Sequence, residues 1–481
     1  MKKLAALLLT VAMMLTMVSF AAAEEPVELI WWMGTTADAP IDQAMVEEQL
    51  NAITREKLGI TIKCVYMTNT EIGLAMSAGE YYDMAFTCGW YNDFATNVFA
   101  GQFLDITELV KETPALVESM PEMLWQGSYV GDKLYAVPVM KDYGIEVFFL
   151  VDIDYFATQK GMEIPKTMSF NDIEPYLAAY KADYPDQYPL ILSKGGITSW
   201  ANFIDWISED AQIALSYSDI GTEAEGTVRL AYEMPEFVDR IKTIRSWYEK
   251  GYINPDAAVI ESIGRAAAGV IQSGQAFYGA DSIYSNARQK ATAIVRYDGP
   301  FLSTYSLRGA LTAISAASKH PKEALKLIEF ANTNKEYRNM MRYGLEGVHF
   351  TWNEDGTVSK TPQGVTNYSP WAYTQASYSL SAVEASAFPS VPADPNMWQV
   401  IWDGYKDAVT SAGLGYAFDY NPVANEVNAA KAIKELYWAE LITGTSDPEV
   451  IIPQMISELE GVGIRDVIAE AQKQLDAFRG K

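Results

Sequence analysis

The chain is poor in the residues from which most active sites are built: its 481 residues include two histidines and two cysteines. His320 stands before Pro321 at an expected helix start and His349 in an expected loop, so a histidine metal centre or a Ser-His-Asp triad has little material. HExxH, CxxC, G-x-S-x-G, a P-loop and a complete GxGxxG are all missing. Gly413-Leu414-Gly415 has neither the third glycine nor a strand before it and reads as a turn, and Asp355-Gly356 lacks the alternating acids of an EF-hand loop. No cofactor and no metal is expected. Positive charge is also scarce, 36 Lys+Arg against 62 Asp+Glu for a formal net charge of −26, which argues against a nucleic-acid partner. Two cysteines are too few for a disulfide scaffold. Beyond the first 23 residues no apolar run reaches the roughly 18 to 20 residues of a membrane span. Repeats and low-complexity linkers are absent as well, so separate lobes would be joined by crossing segments, an arrangement that suits a hinge.

What is present is an ordinary globular composition, 49% hydrophobic and 20% charged. One hydrophobic core stops growing near about 250 to 300 residues, so this length favours two large lobes. Residues 1–23 read as a secretory signal peptide: a charged Met1-Lys2-Lys3, an apolar run from Leu4 to Phe20, and the small-residue site Ala21-Ala22-Ala23. The chain is therefore expected to be exported, to the periplasm or the cell exterior. Neither Cys64 nor Cys88 lies near the processed N-terminus, so no thiol is there to carry a lipid. In a doubly wound sheet of order 2-1-3 the strands ending near these two cysteines would flank the first strand, and both are expected to be free, buried thiols.

Val27 to Met33 reads as a buried strand, Ile41 to Leu58 as a helix stopped by Gly59, Ile60 to Met67 as a strand, Ile72 to Ala78 as a helix and Asp83 to Thr87 as a third strand. This β-α-β-α-β order predicts a parallel sheet with helices on both faces and a ligand beyond the carboxyl ends of its strands. A hairpin is expected at Gly131 to Pro138 and a strong strand at Glu146 to Val151. Ala276 to Asp281 reads as a strand entering a glycine turn, and Gly309 to Ser315 as a further strand. Pro321 opens a helix with Ala324, Leu327, Ile328 and Ala331 at i, i+3, i+4 and i+7. Asn353 to Gly356 marks a hairpin. Helices are expected from Met397 onward, the last spanning Gln454 to Phe478 with a break near Gly461 and Gly463.

Aromatic usage rises above background, with 12 Trp and 29 Tyr against 18 Phe. Trp and Tyr suit surfaces that are both apolar and wet. A sugar ring offers an apolar face of C–H groups for stacking and an edge of hydroxyls for hydrogen bonds. Trp90-Tyr91-Asn92-Asp93, Trp200-Ala201-Asn202 and Trp371-Ala372-Tyr373 supply both kinds of partner. Trp31 is expected in the core and Trp32, one position on, on the opposite face of its strand.

Several segments resemble the extracellular solute-binding proteins of ATP-binding-cassette importers, in their carbohydrate-binding branch: Gly131 to Pro138, Gly274 to Gly279 and His320 to Ala331. Tyr343 to Phe350, Tyr416 to Pro422 and Ala471 to Asp476 are similar to the lipoprotein-type oligosaccharide binders with an extended C-terminal domain. The resemblance implies an α/β, two-lobed periplasmic-binding-protein fold with parallel-type sheets flanked by helices and a hinge of crossing segments. It implies capture of an oligosaccharide in the interlobe cleft and delivery to permease subunits in the membrane, by a monomer that makes and breaks no bond. The lobes are expected at 24–143 with 276–330 and at 144–275 with 331–481. The expected ligand-binding residues are Trp32, Trp90, Tyr91, Asp142, Trp200, Asp281, Glu346, Trp371 and Tyr373, with Glu346 equally suited to fixing its own loop. Arg308 or Lys141 in the cleft would point to an anionic ligand such as a uronate. The missing lipid-acceptor cysteine departs from the lipoprotein pattern and suggests a free periplasmic form or loss through a different signal. Two other readings are a secreted carbohydrate-active enzyme using two of the many acids, and the same fold binding a peptide or other small solute.

Overall fold

The computed structural model describes residues 25–263 and 270–480. The expected signal peptide lies outside the described residues.

The chain opens with β1 (Val27–Gly34), β2 (Ile60–Met67) and β3 (Met84–Thr87), joined by the helices Gln43–Leu58 and Asn69–Ser77. Gly59 ends the first helix in the left-handed region, at φ 70°, where a glycine has no Cβ to clash. A hairpin of β4 (Tyr129–Val130) and β5 (Lys133–Leu134) leads into β6 (Ala136–Pro138). The chain then crosses to β7 (Ile145–Asp152), a meander of β8 (Ile204–Ser208), β9 (Ile213–Ser216) and β10 (Arg229–Leu230), and the pair β11 (Ile271–Ala276) and β12 (Thr292–Leu302). It returns in β13 (Leu311–Ile314), turns through the hairpin β14 (Phe350–Trp352) and β15 (Val358–Lys360), and crosses again to β16 (Val409–Thr410).

The first sheet has the order β2-β1-β3-β13-β6. β1 runs parallel to β2, from Val27 opposite Ile60 to Gly34 opposite Met67, and parallel to β3. β13 runs against both β3 and β6. Trp31 and Trp32 face opposite sides of this sheet and join two different core clusters, as strand alternation requires. Cys64 and Cys88 lie on either side of β1, on β2 and just past β3, and both are free; Cys88 is buried and Cys64 half-buried.

The second sheet, β11-β7-β12-β16, departs from the parallel pattern. β7 runs against both neighbours, and only β12 and β16 are parallel. The reason is topological: β11 and β12 are joined by the crossover helix Ala280–Arg288, and β7, arriving from the first sheet, is inserted between them in the opposite direction. All eight residues of β7 are buried, the pattern of a central strand covered on both faces.

The division into lobes differs from the expected one at two places. Within 276–330, β13 joins the first sheet but β12 belongs to the second. Residues 331–405 pack on the first lobe, not the second: Tyr337, Met341, Tyr368, Met397 and Ile401 share a cluster with Trp31 and Leu50. The helix Lys335–Tyr343 follows Pro321–Thr333 on the same core, and the chain does not leave that core until about residue 405. Residues 412–480 pack in the second lobe through Val427, Ile433, Met455, Val467 and Leu475.

Among the described residues three segments thus cross between the lobes: 139–144, 303–310 and 405–408. Two of them touch so closely that a Cβ on Gly144 would stand 2.6 Å from the Tyr405 ring. The Tyr143 and Tyr405 rings meet edge-on at 4.8 Å, and the Trp402 indole N–H donates to the Lys141 carbonyl at 2.9 Å.

Candidate functional site

Beside the crossing segments lies a cleft with two adjoining cavities, one of about 530 Å³ and one of about 250 Å³. Ile145 at the start of β7, Gln275 near the end of β11 and Tyr305 in the middle crossing segment line both.

The larger cavity has an aromatic wall made by the first lobe. The loop after β3 is held tight by Asn92, which is buried at φ 48° and donates from its amide to the Phe86 carbonyl at 2.9 Å. That turn tips Trp90 outward, 44% exposed, and tucks Tyr91 inward, 3% exposed. The Tyr91 hydroxyl donates to the Met67 carbonyl, so Tyr91 pins the loop to the end of β2. Trp371 and Tyr373 stack at 5.5 Å with their planes 26° apart, and Trp90 lies 6.1 Å from the first and 6.3 Å from the second. Trp90 and Tyr373 face the cavity, with Trp371 braced beside them. A methyl group on Gly89 would stand 2.9 Å from the Tyr305 ring, so the absence of a side chain there lets Tyr305 lie against the Trp90 loop.

The segment carrying Trp371 and Tyr373 has no regular structure of its own beyond one short turn. It is held by Arg338 on the helix Lys335–Tyr343, whose guanidinium is wholly buried and donates to the Ser377 carbonyl (2.6 Å), the Gln375 side chain (3.1 Å) and the Ala372 carbonyl (3.2 Å). Burial brings the Arg338 pKa down to about 10, which leaves it charged at neutral pH. One helical turn on, Arg342 reaches the cavity and lies 4.4 Å over the Tyr378 ring. Sequence reasoning missed both arginines; their i, i+4 spacing just before Gly344 was the available signal. Lys141 and Asp142 bring a polar pair to the lining of the same cavity, with the ammonium 3.0 Å from the carboxylate.

The smaller cavity belongs mainly to the second lobe. Trp200 is buried with its ring 4.9 Å from Phe237 and 6.1 Å from Trp438, and Trp206 lines the same space. Asp205 at the floor accepts from the Ser411 hydroxyl at 2.5 Å, and burial without a cation pushes its carboxyl up to about 6.

Of the nine expected residues, the cleft brings together Trp90, Asp142 and Tyr373 in one cavity and Trp200 in the other, with Trp371 adjoining. The rest lie elsewhere. Trp32 is 2% exposed and stacks on Tyr82 at 4.2 Å, because a sheet covered on both faces buries both sides of β1. Tyr91 is consumed by its backbone contact. Asp281 opens the helix Ala280–Arg288, accepts from the Ser282 N–H at 3.0 Å, and lines neither cavity. Glu346 is exposed at the tip of a turn whose root is the buried His349: its ring Nδ1 accepts from the Leu345 N–H at 2.9 Å and its Nε2 faces Asp42 at 3.1 Å. Arg308 is buried away from the cleft, donating to the Gly127 and Tyr129 carbonyls at 2.8 and 3.0 Å, whereas Lys141 does line it.

Among the described residues no helix is long and apolar enough to cross a membrane. A curated relative from Streptococcus pneumoniae serotype 4, a carbohydrate ABC transporter substrate-binding protein, is 26% identical over 479 residues, 95% of this chain and 92% of its own length. The solved structure of the N-glycan transport solute-binding protein NgtS from Streptococcus pneumoniae superposes with a TM-score of 0.83 at 23% identity, covering 94% of this chain and 99% of that one. An HMO-binding, ABC-transporter-associated solute-binding protein from Bifidobacterium longum infantis gives a TM-score of 0.64 at 13% identity, covering 95% and 99%. Residues 412–480 match a domain of unknown function, DUF3502. Residues 34–338 match the family model of the bacterial extracellular solute-binding proteins, and with more than half of its length so matched the chain belongs to that family.

Proposed function

We propose that this protein is the substrate-binding component of an ABC importer, which captures an oligosaccharide between its lobes and hands it to permease subunits in a membrane. The observation that carries the reading is the pairing in adjoining cavities of aromatic faces, Trp90, Tyr305 and Tyr373, with hydrogen-bonding side chains, Lys141, Asp142 and Gln275. Sugar rings stack their C–H faces on the first set and direct hydroxyls to the second. The three crossing segments act as the hinge: closure brings the Trp200 side of the second lobe towards the Trp90 side of the first and presents the loaded form to the permease. Ligand release needs no chemistry, so the protein works by binding alone. The names of the relatives support a glycan as the cargo. The protein acts outside the cytoplasm as a monomer.

The test is a thermal-unfolding panel of the mature protein with Man5GlcNAc, lacto-N-tetraose, kestose, xylotetraose and tetra-alanine, with mass spectrometry of each glycan after incubation. A ligand at 100 times its Kd adds about 2.7 kcal/mol, which raises the transition by several degrees. A shift with one glycan that is recovered unchanged supports the proposal. A shift with tetra-alanine alone would move the assignment to peptides, and a glycan consumed during the incubation would move it to an enzyme.

A further inference from the structure

We infer that the segment matched by the domain of unknown function builds a ligand subsite at the far end of the cleft, where Trp438 and Gln212 hold a terminal neutral sugar ring. The inference rests on the oligosaccharide reading above and adds a role for residues 412–480.

The helix Ala424–Ile442 packs into the second-lobe core through Val427, Ala430, Ile433 and Leu441. Lys434, Trp438 and Ile442, at successive i+4 steps and hence on one stripe of the helix, line the smaller cavity, Ile442 while also buried in that core. This helix is thus a wall of the cleft. The Trp438 ring is half-buried, 6.1 Å from Trp200, and the Lys434 ammonium stands 5.0 Å from its centroid while donating to the Glu209 carbonyl at 3.1 Å.

The second, independent observation is Gln212, on the turn between β8 and β9. It is 1% exposed, lines the cavity, and holds the left-handed backbone at φ 57°, a conformation costly for a residue with a Cβ. Its amide N–H₂ donates to the Glu209 carbonyl, which fixes the orientation of the side chain and leaves the buried oxygen Oε1 with no hydrogen-bond partner. A strained backbone that holds an unfilled acceptor in a cavity wall is the signature of a group kept for a ligand donor. A sugar hydroxyl is such a donor, and the indole of Trp438 offers the apolar face that the same ring requires. The carboxyl groups of Asp205 and Glu209 on the same cavity disfavour an acidic ring. Because Ile145, Gln275 and Tyr305 border both cavities, a glycan seated against Trp90 and Tyr373 can extend its end into this subsite. Occupancy therefore depends on chain length.

The test is titration calorimetry of the mature wild type, Trp438→Ala and Gln212→Leu with each glycan of the panel and with its form shortened by one terminal sugar at either end. For the glycan that wild type binds, the full-length form should bind Trp438→Ala about tenfold more weakly, the loss of roughly one stacking contact. The form lacking the sugar that occupies the subsite should bind wild type and variant alike. Equal loss for all lengths, or no loss for any, overturns the inference and leaves the oligosaccharide reading intact; no binding of any glycan by wild type overturns both. Hydrogen exchange of the wild type needs no variant to fold: the full-length glycan should protect amides around Trp438 more than the shortened form, and equal protection by both counts against the subsite.

Discussion

Replacing Arg338 with methionine removes the group that fastens the aromatic segment to the first lobe while keeping an apolar stem of similar length. The guanidinium makes three hydrogen bonds, to the Ser377 and Ala372 carbonyls and the Gln375 side chain, and lies 5.3 Å over the Tyr378 ring. Hydrogen bonds from a charged donor contribute about 1.5 to 3 kcal/mol each. Against this stands the cost of burying the cation, several kcal/mol, which the variant no longer bears. The three acceptors, all neutral, would be left without that donor, at about 1 to 3 kcal/mol for each one buried and unsatisfied, so a net loss of about 3 to 5 kcal/mol is expected. The expected outcome is a loss of that size in urea unfolding at neutral pH, where the wild-type arginine is charged, and a drop in Tm on the order of 10 °C. Because the freed segment carries Trp371 and Tyr373, glycan affinity should fall in the same variant below its Tm. A stability loss under about 1 kcal/mol, with affinity unchanged, would refute the view that Arg338 holds the platform.

Other perturbations read separate parts of the molecule. The Asp205 carboxyl has its pKa raised to about 6 from an ordinary 3.8, so the folded state binds more protons than the unfolded one between about pH 4 and 6. Stability from this group is therefore lost as pH rises through that window, by about 3 kcal/mol, and Asp205→Asn should flatten the fall; wild type and variant with parallel pH profiles would contradict this. Gly144→Ala pushes a methyl group against the Tyr405 ring at a crossing point of the hinge and should destabilise by about 1 to 3 kcal/mol in thermal unfolding. Tyr373→Ala should weaken glycan binding by about tenfold in calorimetry, whereas Tyr91→Phe, which loses only a hydroxyl bonded to the Met67 carbonyl, should cost about 1 kcal/mol of stability and leave affinity unchanged.

The first sheet was legible because its signals are local. Apolar runs, a glycine stop and β-α-β order lead to β2-β1-β3, and the spacing of Ala324, Leu327, Ile328 and Ala331 matches a helix face that is buried. The direction of β7 was not legible, since nothing in Ile145–Asp152 records that β11 and β12 will enclose it running the other way. Nor was the attachment of 331–405 to the first lobe, which rests on contacts of Tyr368 and Met397 with distant strands. In the site, aromatics in loops led to Trp90, Tyr373 and Trp200, which line the cavities, but composition cannot tell an exposed ring from one, such as Tyr91, turned inward by its neighbour's backbone. Trp32 was misplaced because alternation along a strand distinguishes faces and both faces here are covered. Gln212 and Trp438 carried no pattern at all. Their meaning lies in a positive φ, an unfilled acceptor and a helix face, which exist only once the chain is folded.

The most direct measurement is a crystal structure of the mature protein grown with the glycan that gives the thermal shift. The expected density runs through the cleft, with sugar rings against Trp90 and Tyr373 at one end and passing Tyr305 towards Trp200 and Trp438 at the other. Density for the intact glycan outside this cleft, with the space between Tyr373 and Trp200 filled only by water, would contradict it.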